Sequence, residues 1–77
     1  MPYTVSILEE GKYHGKKVKI SNIPFSDKTA DKNIRAMGLA WDRSSRSYVG
    51  IVRDETGIYS DKIDKYSTRP GVKVEVG

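Results

Sequence analysis

The chain has 77 residues, no cysteine, a net charge of +4 and a pI of about 9.4, which together predict one small basic domain over residues 1–77 with a thin core. The absence of cysteine excludes disulfides and thiolate metal sites, so packing must stabilise the fold. Because no apolar run approaches the about 20 residues of a membrane span and the N-terminus lacks a signal-peptide pattern, we expect a cytoplasmic protein with no membrane partner.

The first two predicted elements are strands that form a hairpin. Residues 3–8 alternate between apolar and polar side chains, and residues 16–23 do the same, with Val18 and Ile20 facing inward. A polar loop with two glycines joins the two segments. Pro24 ends the second strand, because proline cannot donate a hydrogen bond to a sheet ladder.

A helix is predicted next. Ser26 or Asp27 is a suitable N-cap, since either side chain can accept a hydrogen bond from the first turn. Ala30, Ile34 and Met37 recur at i, i+4 and i+7 and therefore form one apolar stripe. The glycine that follows Met37 favours the left-handed residue that commonly ends a helix.

The rest of the chain predicts two more strands with an ambiguous segment between them. Residues 47–53 and 72–76 alternate as strands. Between them, Tyr59, Ile63 and Tyr66 lie at i, i+4 and i+7 and indicate a short helix, although a turn ending in glycine could instead close a hairpin. Favouring the helix, we predict an α+β fold of order β-β-α-β-(α)-β, with a small, mostly antiparallel sheet and helices packed on one face.

About a third of the chain, residues 23–49, carries a series of short motifs. In chain order they are Ile23-Pro24-Phe25, Asp27-Lys28, Met37-Gly38, Trp41-Asp42, Arg46 and Tyr48-Val49. The series resembles a short domain of unknown function found beside relaxases, primases and antirestriction proteins of mobile elements. A similar aromatic-Asp-x-x-x-basic-x-aromatic turn occurs in the HARP domain of annealing helicases, which contacts DNA forks. The resemblance implies an association with DNA-processing machinery and a phage or mobile-element source, and it brings no catalytic residues.

The strongest candidate site is the predicted turn in which Arg43 and Arg46 lie between Trp41 and Tyr48. An exposed ring can stack on an unpaired base while a guanidinium group holds a phosphate. The alternative is that one or both rings belong to the thin core. Both arginines are expected at the surface under either interpretation.

Three lysines of the second predicted strand, Lys16, Lys17 and Lys19, are candidates to extend this surface. Their face would have to lie near the arginine turn for the positive charges to act together. An equally weighted alternative is that lysines on a strand discourage pairing with other chains.

No residue pattern indicates catalysis or a bound cofactor. His14 is the only histidine and is predicted to be a solvated loop residue rather than a metal ligand or a general base. There is no phosphate-binding glycine loop, no nucleophile elbow and no carboxylate spacing that argues for a nuclease. We therefore expect no enzyme activity, no metal and no cofactor.

Two functions remain for a chain of this kind. The first is a small, basic, non-enzymatic module that binds nucleic acid, which its pI and the aromatic–arginine turn favour. The second is a protein–protein interaction module, such as a phage-encoded inhibitor or an accessory subunit, which a free edge strand would suit. The thin core also leaves a homodimer open.

Overall fold

The computed structural model describes residues 10–77 and shows an α+β fold. The elements in chain order are β1 (Lys17–Ser21), α1 (Lys28–Ala36), β2 (Ala40–Asp42), β3 (Ser47–Ile51), α2 (Ile58–Ser67) and β4 (Lys73–Val76). The predicted α+β class is confirmed, and the ambiguous segment is a helix. The strand predicted for residues 3–8 lies outside the described residues.

The four strands form one antiparallel sheet in the order β2-β3-β1-β4. Strand β2 was not predicted as a separate element, because three residues are too few to show alternation. It pairs with β3 across the turn at residues 43–46, and Trp41 lies directly opposite Tyr48. Strand β1 pairs with β3 on one side and with β4 on the other, so β2 and β4 are the sheet edges.

Both helices pack on one face of this sheet, as predicted. The buried side chains that meet there come from two strands and both helices: Val18, Ile20, Ala30, Ile34, Tyr48, Ile63 and Tyr66. Lys17 and Lys19 alternate with the buried residues of β1 and therefore lie on the other face. Within residues 10–77, no helix is long and apolar enough to cross a membrane.

Helix α1 has the ends that the sequence predicts. Asp27 is its N-cap, and one carboxylate oxygen accepts a hydrogen bond from the Ala30 N–H at 3.0 Å. Gly38 has a φ of 107° just after the helix, and a Cβ there would lie 2.8 Å from the carbonyl oxygen of Ile51. Only glycine satisfies both the backbone conformation and this close approach.

Helix α2 begins on a buried carboxylate that was not among the candidate residues predicted from the sequence. Asp54 is 1% exposed and accepts hydrogen bonds from the N–H groups of Gly57, Tyr59 and Ser60. Burial raises the pKa of this carboxyl, but the bonds from Ser60, Tyr59 and Gly57 outweigh burial and hold the pKa below its ordinary value. Asp54 thus satisfies the N–H groups that a helix start leaves unpaired.

The loop before β1 is hydrogen-bonded to the backbone of Asp54. The Asp54 N–H donates to Nδ1 of His14 at 2.9 Å, so His14 is a half-buried structural residue rather than the solvated one that we predicted. The Gly11 N–H donates to the carbonyl of Asp54 at 2.8 Å. A Cβ on Gly11 would lie 1.9 Å from an Asp54 carboxylate oxygen, so the loop can approach only because residue 11 has no side chain.

Candidate nucleic-acid interface

The turn between β2 and β3 is organised by the carboxylate of Asp42. One of its oxygens accepts from the Ser44 N–H at 3.1 Å and the Ser44 hydroxyl at 2.9 Å, and the other accepts from the Ser45 hydroxyl at 2.9 Å. The Ser44 hydroxyl, followed by that of Ser45, lowers the pKa of the Asp42 carboxyl. Both carboxylate oxygens are therefore engaged inside the turn.

This arrangement leaves the two arginines of the turn without a carboxylate partner. Arg43 and Arg46 are exposed, and no salt bridge in the described part of the chain includes either of them. Arg46 also has a φ of 51°, the left-handed region that glycine or asparagine usually occupies. Two guanidinium groups thus remain available to an anionic ligand.

Three aromatic rings lead from the core to the surface beside this turn. Tyr48 is buried, Trp41 is half-buried and Phe25 is 76% exposed. The Trp41 ring lies edge-to-face against both neighbours, with ring centroids 5.1 Å from Tyr48 and 5.4 Å from Phe25. The outermost ring of this series is therefore Phe25, which the sequence analysis did not include among the site residues.

Tyr48 is not a surface ring, and the prediction that it contacts nucleic acid is wrong. It pairs with Ile20 in the register of β1 and β3 on the helix-covered face, and it is only 3% exposed. Its hydroxyl donates to a carboxylate oxygen of Asp31 at 2.6 Å. Burial, followed by this hydrogen bond, raises the pKa of Tyr48 to about 12. The side chain supports the core and α1 rather than a ligand.

The rings of Phe25 and Trp41 and the two arginines line one hollow of about 520 Å³. Its lining residues are Asn22, Ile23, Phe25, Trp41, Arg43 and Arg46, and we call this hollow the aromatic–arginine groove. It lies where β1 and β2 end and β3 begins, since Ser21, Asp42 and Ser47 share one row of the sheet. Asn22 is fixed at its rim, because its amide Nδ2 donates to the carbonyl of Gly71 at 2.8 Å.

The structure separates the predicted lysines from this groove. Lys17 and Lys19 lie on the sheet face opposite the helices, while the Trp41 ring lies with Tyr48 on the helix side. Lys16 precedes β1 at the end of the sheet far from the groove. Lys19 also stands directly opposite Glu75 in the register of β1 and β4, so an acidic residue lies beside the lysines on that face. The structure thus brings Trp41 together with the two arginines, but not with the lysines.

Phe25 was missed because its exposure depends on contacts between distant residues. In the sequence it is an apolar residue that follows a proline at the end of a strand, which fits a core position equally well. In the structure its ring packs against that of Trp41, with centroids 5.4 Å apart, and Phe25 stays 76% exposed. The one available signal was the motif series itself, which places Phe25 and Trp41 in the same short segment.

Neither metal chemistry nor a known relative adds to this description. Among residues 10–77, no group of three or more His, Cys, Asp or Glu side chains could hold a metal ion. Comparisons of the chain with protein-family models, curated proteins and solved structures returned no match. The resemblance of residues 23–49 to a mobile-element domain therefore stays a prediction, and function must be argued from the site itself.

Proposed function

We propose that this protein is a small, basic, non-enzymatic module that binds nucleic acid through the aromatic–arginine groove. The observation that carries the proposal is the convergence of two arginines that have no salt bridge among the described residues with the exposed ring of Phe25 and the half-buried ring of Trp41. A guanidinium group can donate two parallel hydrogen bonds to the oxygens of one phosphate, and an aromatic ring can stack on a base. Nucleic acid is the common ligand that offers both groups side by side.

The charge of the whole chain supports the same conclusion. A net charge of +4 attracts a polyanion over a distance of about one Debye length. Each arginine that neutralises a phosphate also releases condensed counterions, so the affinity must fall as the salt concentration rises. The proposal therefore requires that the salt dependence of the affinity decrease when the groove arginines are removed.

The test measures binding of a labelled oligonucleotide by fluorescence anisotropy at about 50 and about 200 mM salt. The double variant Arg43→Ala/Arg46→Ala should bind at least about tenfold more weakly than the wild type. For this variant, the slope of log affinity against log salt concentration should be shallower by about 0.7 to 0.9 for each arginine removed. The matched control is Lys32→Ala/Lys65→Ala, which removes the same charge from exposed helix positions outside the groove.

Two results would contradict the proposal. One is the absence of binding by the wild type at about 50 mM salt, where phosphate contacts are strong. The other is an equal loss of affinity in the arginine variant and the lysine control, since that result would mean attraction by net charge without a defined site.

A protein partner is the second candidate function, and a different surface favours it. On the sheet face opposite the helices, Ile51 is 61% exposed and Val49 is half-buried beside a hollow of about 470 Å³. Exposed apolar side chains on a sheet face are common in interaction sites. A partner that is captured from nuclease-treated lysate, and lost with Ile51→Asp but retained with Arg43→Ala/Arg46→Ala, would support this function.

A further inference from the structure

We infer that the aromatic–arginine groove takes an unpaired strand and that Phe25 is the platform on which one base stacks. This inference rests on the proposed function and specifies its ligand. It assigns the stacking role to a residue outside the Trp41–Tyr48 turn, and it separates recognition of a base face from attraction to phosphate.

The geometry of the rings favours Phe25 as the stacking surface. The planes of Phe25 and Trp41 are inclined at 66°, with centroids 5.4 Å apart, so the two rings meet as a corner. Trp41 is in turn held by Tyr48 at 71° and 5.1 Å. The inner rings are thus packed against one another, while 76% of Phe25 remains open to solvent. A base that covers this ring would remove apolar surface from water and gain a π contact.

The backbone beneath the Phe25 platform is preorganised. Phe25 lies in a tight turn in which the Asp27 N–H donates to the carbonyl of Pro24 at 3.0 Å. Asp27 also caps α1 and forms a salt bridge with Arg69 at 2.6 Å. The turn is therefore tied to the helix on one side and to the end of α2 on the other. Because the backbone that carries the ring is fixed in this way, less conformational entropy is lost on binding.

The size and shape of the hollow also favour an unpaired strand. Its volume of about 520 Å³ falls within the range of about 300–1,000 Å³ for pockets that enclose small ligands. That space suits one nucleotide, with its base toward Phe25 and its phosphates toward Arg43 and Arg46. A duplex presents base edges and phosphates, but its base faces are stacked on each other and cannot reach a side-chain ring. Only an unpaired segment can contact both the Phe25 ring and the two arginines.

The experiment compares three labelled ligands of equal length: a single strand, its blunt duplex, and a single strand with abasic sites in place of bases. We expect wild-type protein to bind the single strand about 5- to 150-fold more tightly than the abasic strand, the range that corresponds to stacking of one base. Phe25→Ala should lose this preference and keep the weaker, salt-sensitive binding. Phe25→Tyr should retain it, because the ring is preserved.

A control and an internal reporter make the result specific. Ile58→Ala removes another exposed apolar side chain, 57% exposed and outside the groove, and should bind like the wild type. Trp41 is the only tryptophan, so its fluorescence reports on the groove. The single strand should quench this fluorescence, and the abasic strand should quench it much less.

The outcomes distinguish this inference from the function on which it rests. Equal affinity for all three ligands, unchanged in Phe25→Ala but reduced in Arg43→Ala/Arg46→Ala, would overturn the stacking role and leave nucleic-acid binding in place. Absence of binding to every ligand would overturn both. Tighter binding of the duplex than of the single strand would also overturn the inference.

Discussion

At the scale of single residues, the burial of each aromatic ring depends on the position of its strand in the sheet. Trp41 and Tyr48 lie opposite each other and face the same side of the sheet, yet Tyr48 is buried and Trp41 is half-buried. Tyr48 is on β3, which has a neighbouring strand on each side, whereas Trp41 is on the edge strand β2. Alternation along the sequence places Tyr48 in a strand, but the segment around Trp41 is too short for it to assign that ring to a face. It cannot predict the difference in burial, because that depends on the order of strands in the sheet.

Arg46 offers the sharpest separation of binding from folding at this scale. A non-glycine residue in the left-handed region costs about 1–2 kcal/mol, and Arg46 has a φ of 51°. We predict that Arg46→Gly melts at the same temperature as the wild type or higher, yet binds nucleic acid several-fold more weakly. Calorimetry and fluorescence anisotropy on the same samples measure the two effects.

The matched variant for this prediction is Arg46→Ala, which also removes the guanidinium group but keeps the unfavourable backbone conformation. It should bind nucleic acid as weakly as Arg46→Gly does. Its free energy of unfolding should be about 1 kcal/mol lower than that of Arg46→Gly. If Arg46→Gly instead lowered the melting temperature and left the affinity unchanged, Arg46 would be a structural residue of the turn.

At the scale of elements, the sequence predicted α1, β3 and β4 because each carries its own signal over several residues. Helix α1 has an apolar stripe between a capping aspartate and a glycine, and both strands alternate. Strand β2 escaped prediction because it has three residues and exists by pairing with β3. The anchoring of α2 on a buried Asp54 escaped prediction, because that burial depends on the distant loop at residues 11–14.

That anchoring yields a prediction about stability. Asp54→Ala leaves the N–H groups of Gly57, Tyr59 and Ser60 without their acceptor in a buried position. We expect it to lower the free energy of unfolding by about 1–3 kcal/mol, measured by urea denaturation. Asp61→Ala, in the exposed first turn of α2, should change stability by less than about 0.5 kcal/mol.

Binding supplies the complementary readout for the Asp54 variant. Asp54 does not line the aromatic–arginine groove, so folded Asp54→Ala protein should keep its affinity for nucleic acid at a temperature well below its melting point. A stable Asp54→Ala variant with reduced affinity would show that the two ends of the molecule are coupled.

At the scale of the whole molecule, the basic residues predicted as site residues lie on two different surfaces. Arg43 and Arg46 lie at the groove, while Lys17 and Lys19 lie on the face opposite the helices, close to Glu75 and Asp42. Net charge is read directly from composition, but its distribution follows from the strand register. The sequence therefore indicated a basic molecule with an aromatic–arginine turn, and the structure supplied the groove and the position of Phe25.

We propose that nucleic acid contacts the groove rather than the lysine-bearing face. Titration of isotope-labelled protein with a short single strand, followed by nuclear magnetic resonance, tests this claim most directly. We predict that the largest shifts fall on the backbone of Phe25, Arg43 and Arg46 and on the indole N–H of Trp41, with Lys17 and Lys19 little changed. Largest shifts on Lys17 and Lys19 with an unmoved Trp41 indole would contradict the account.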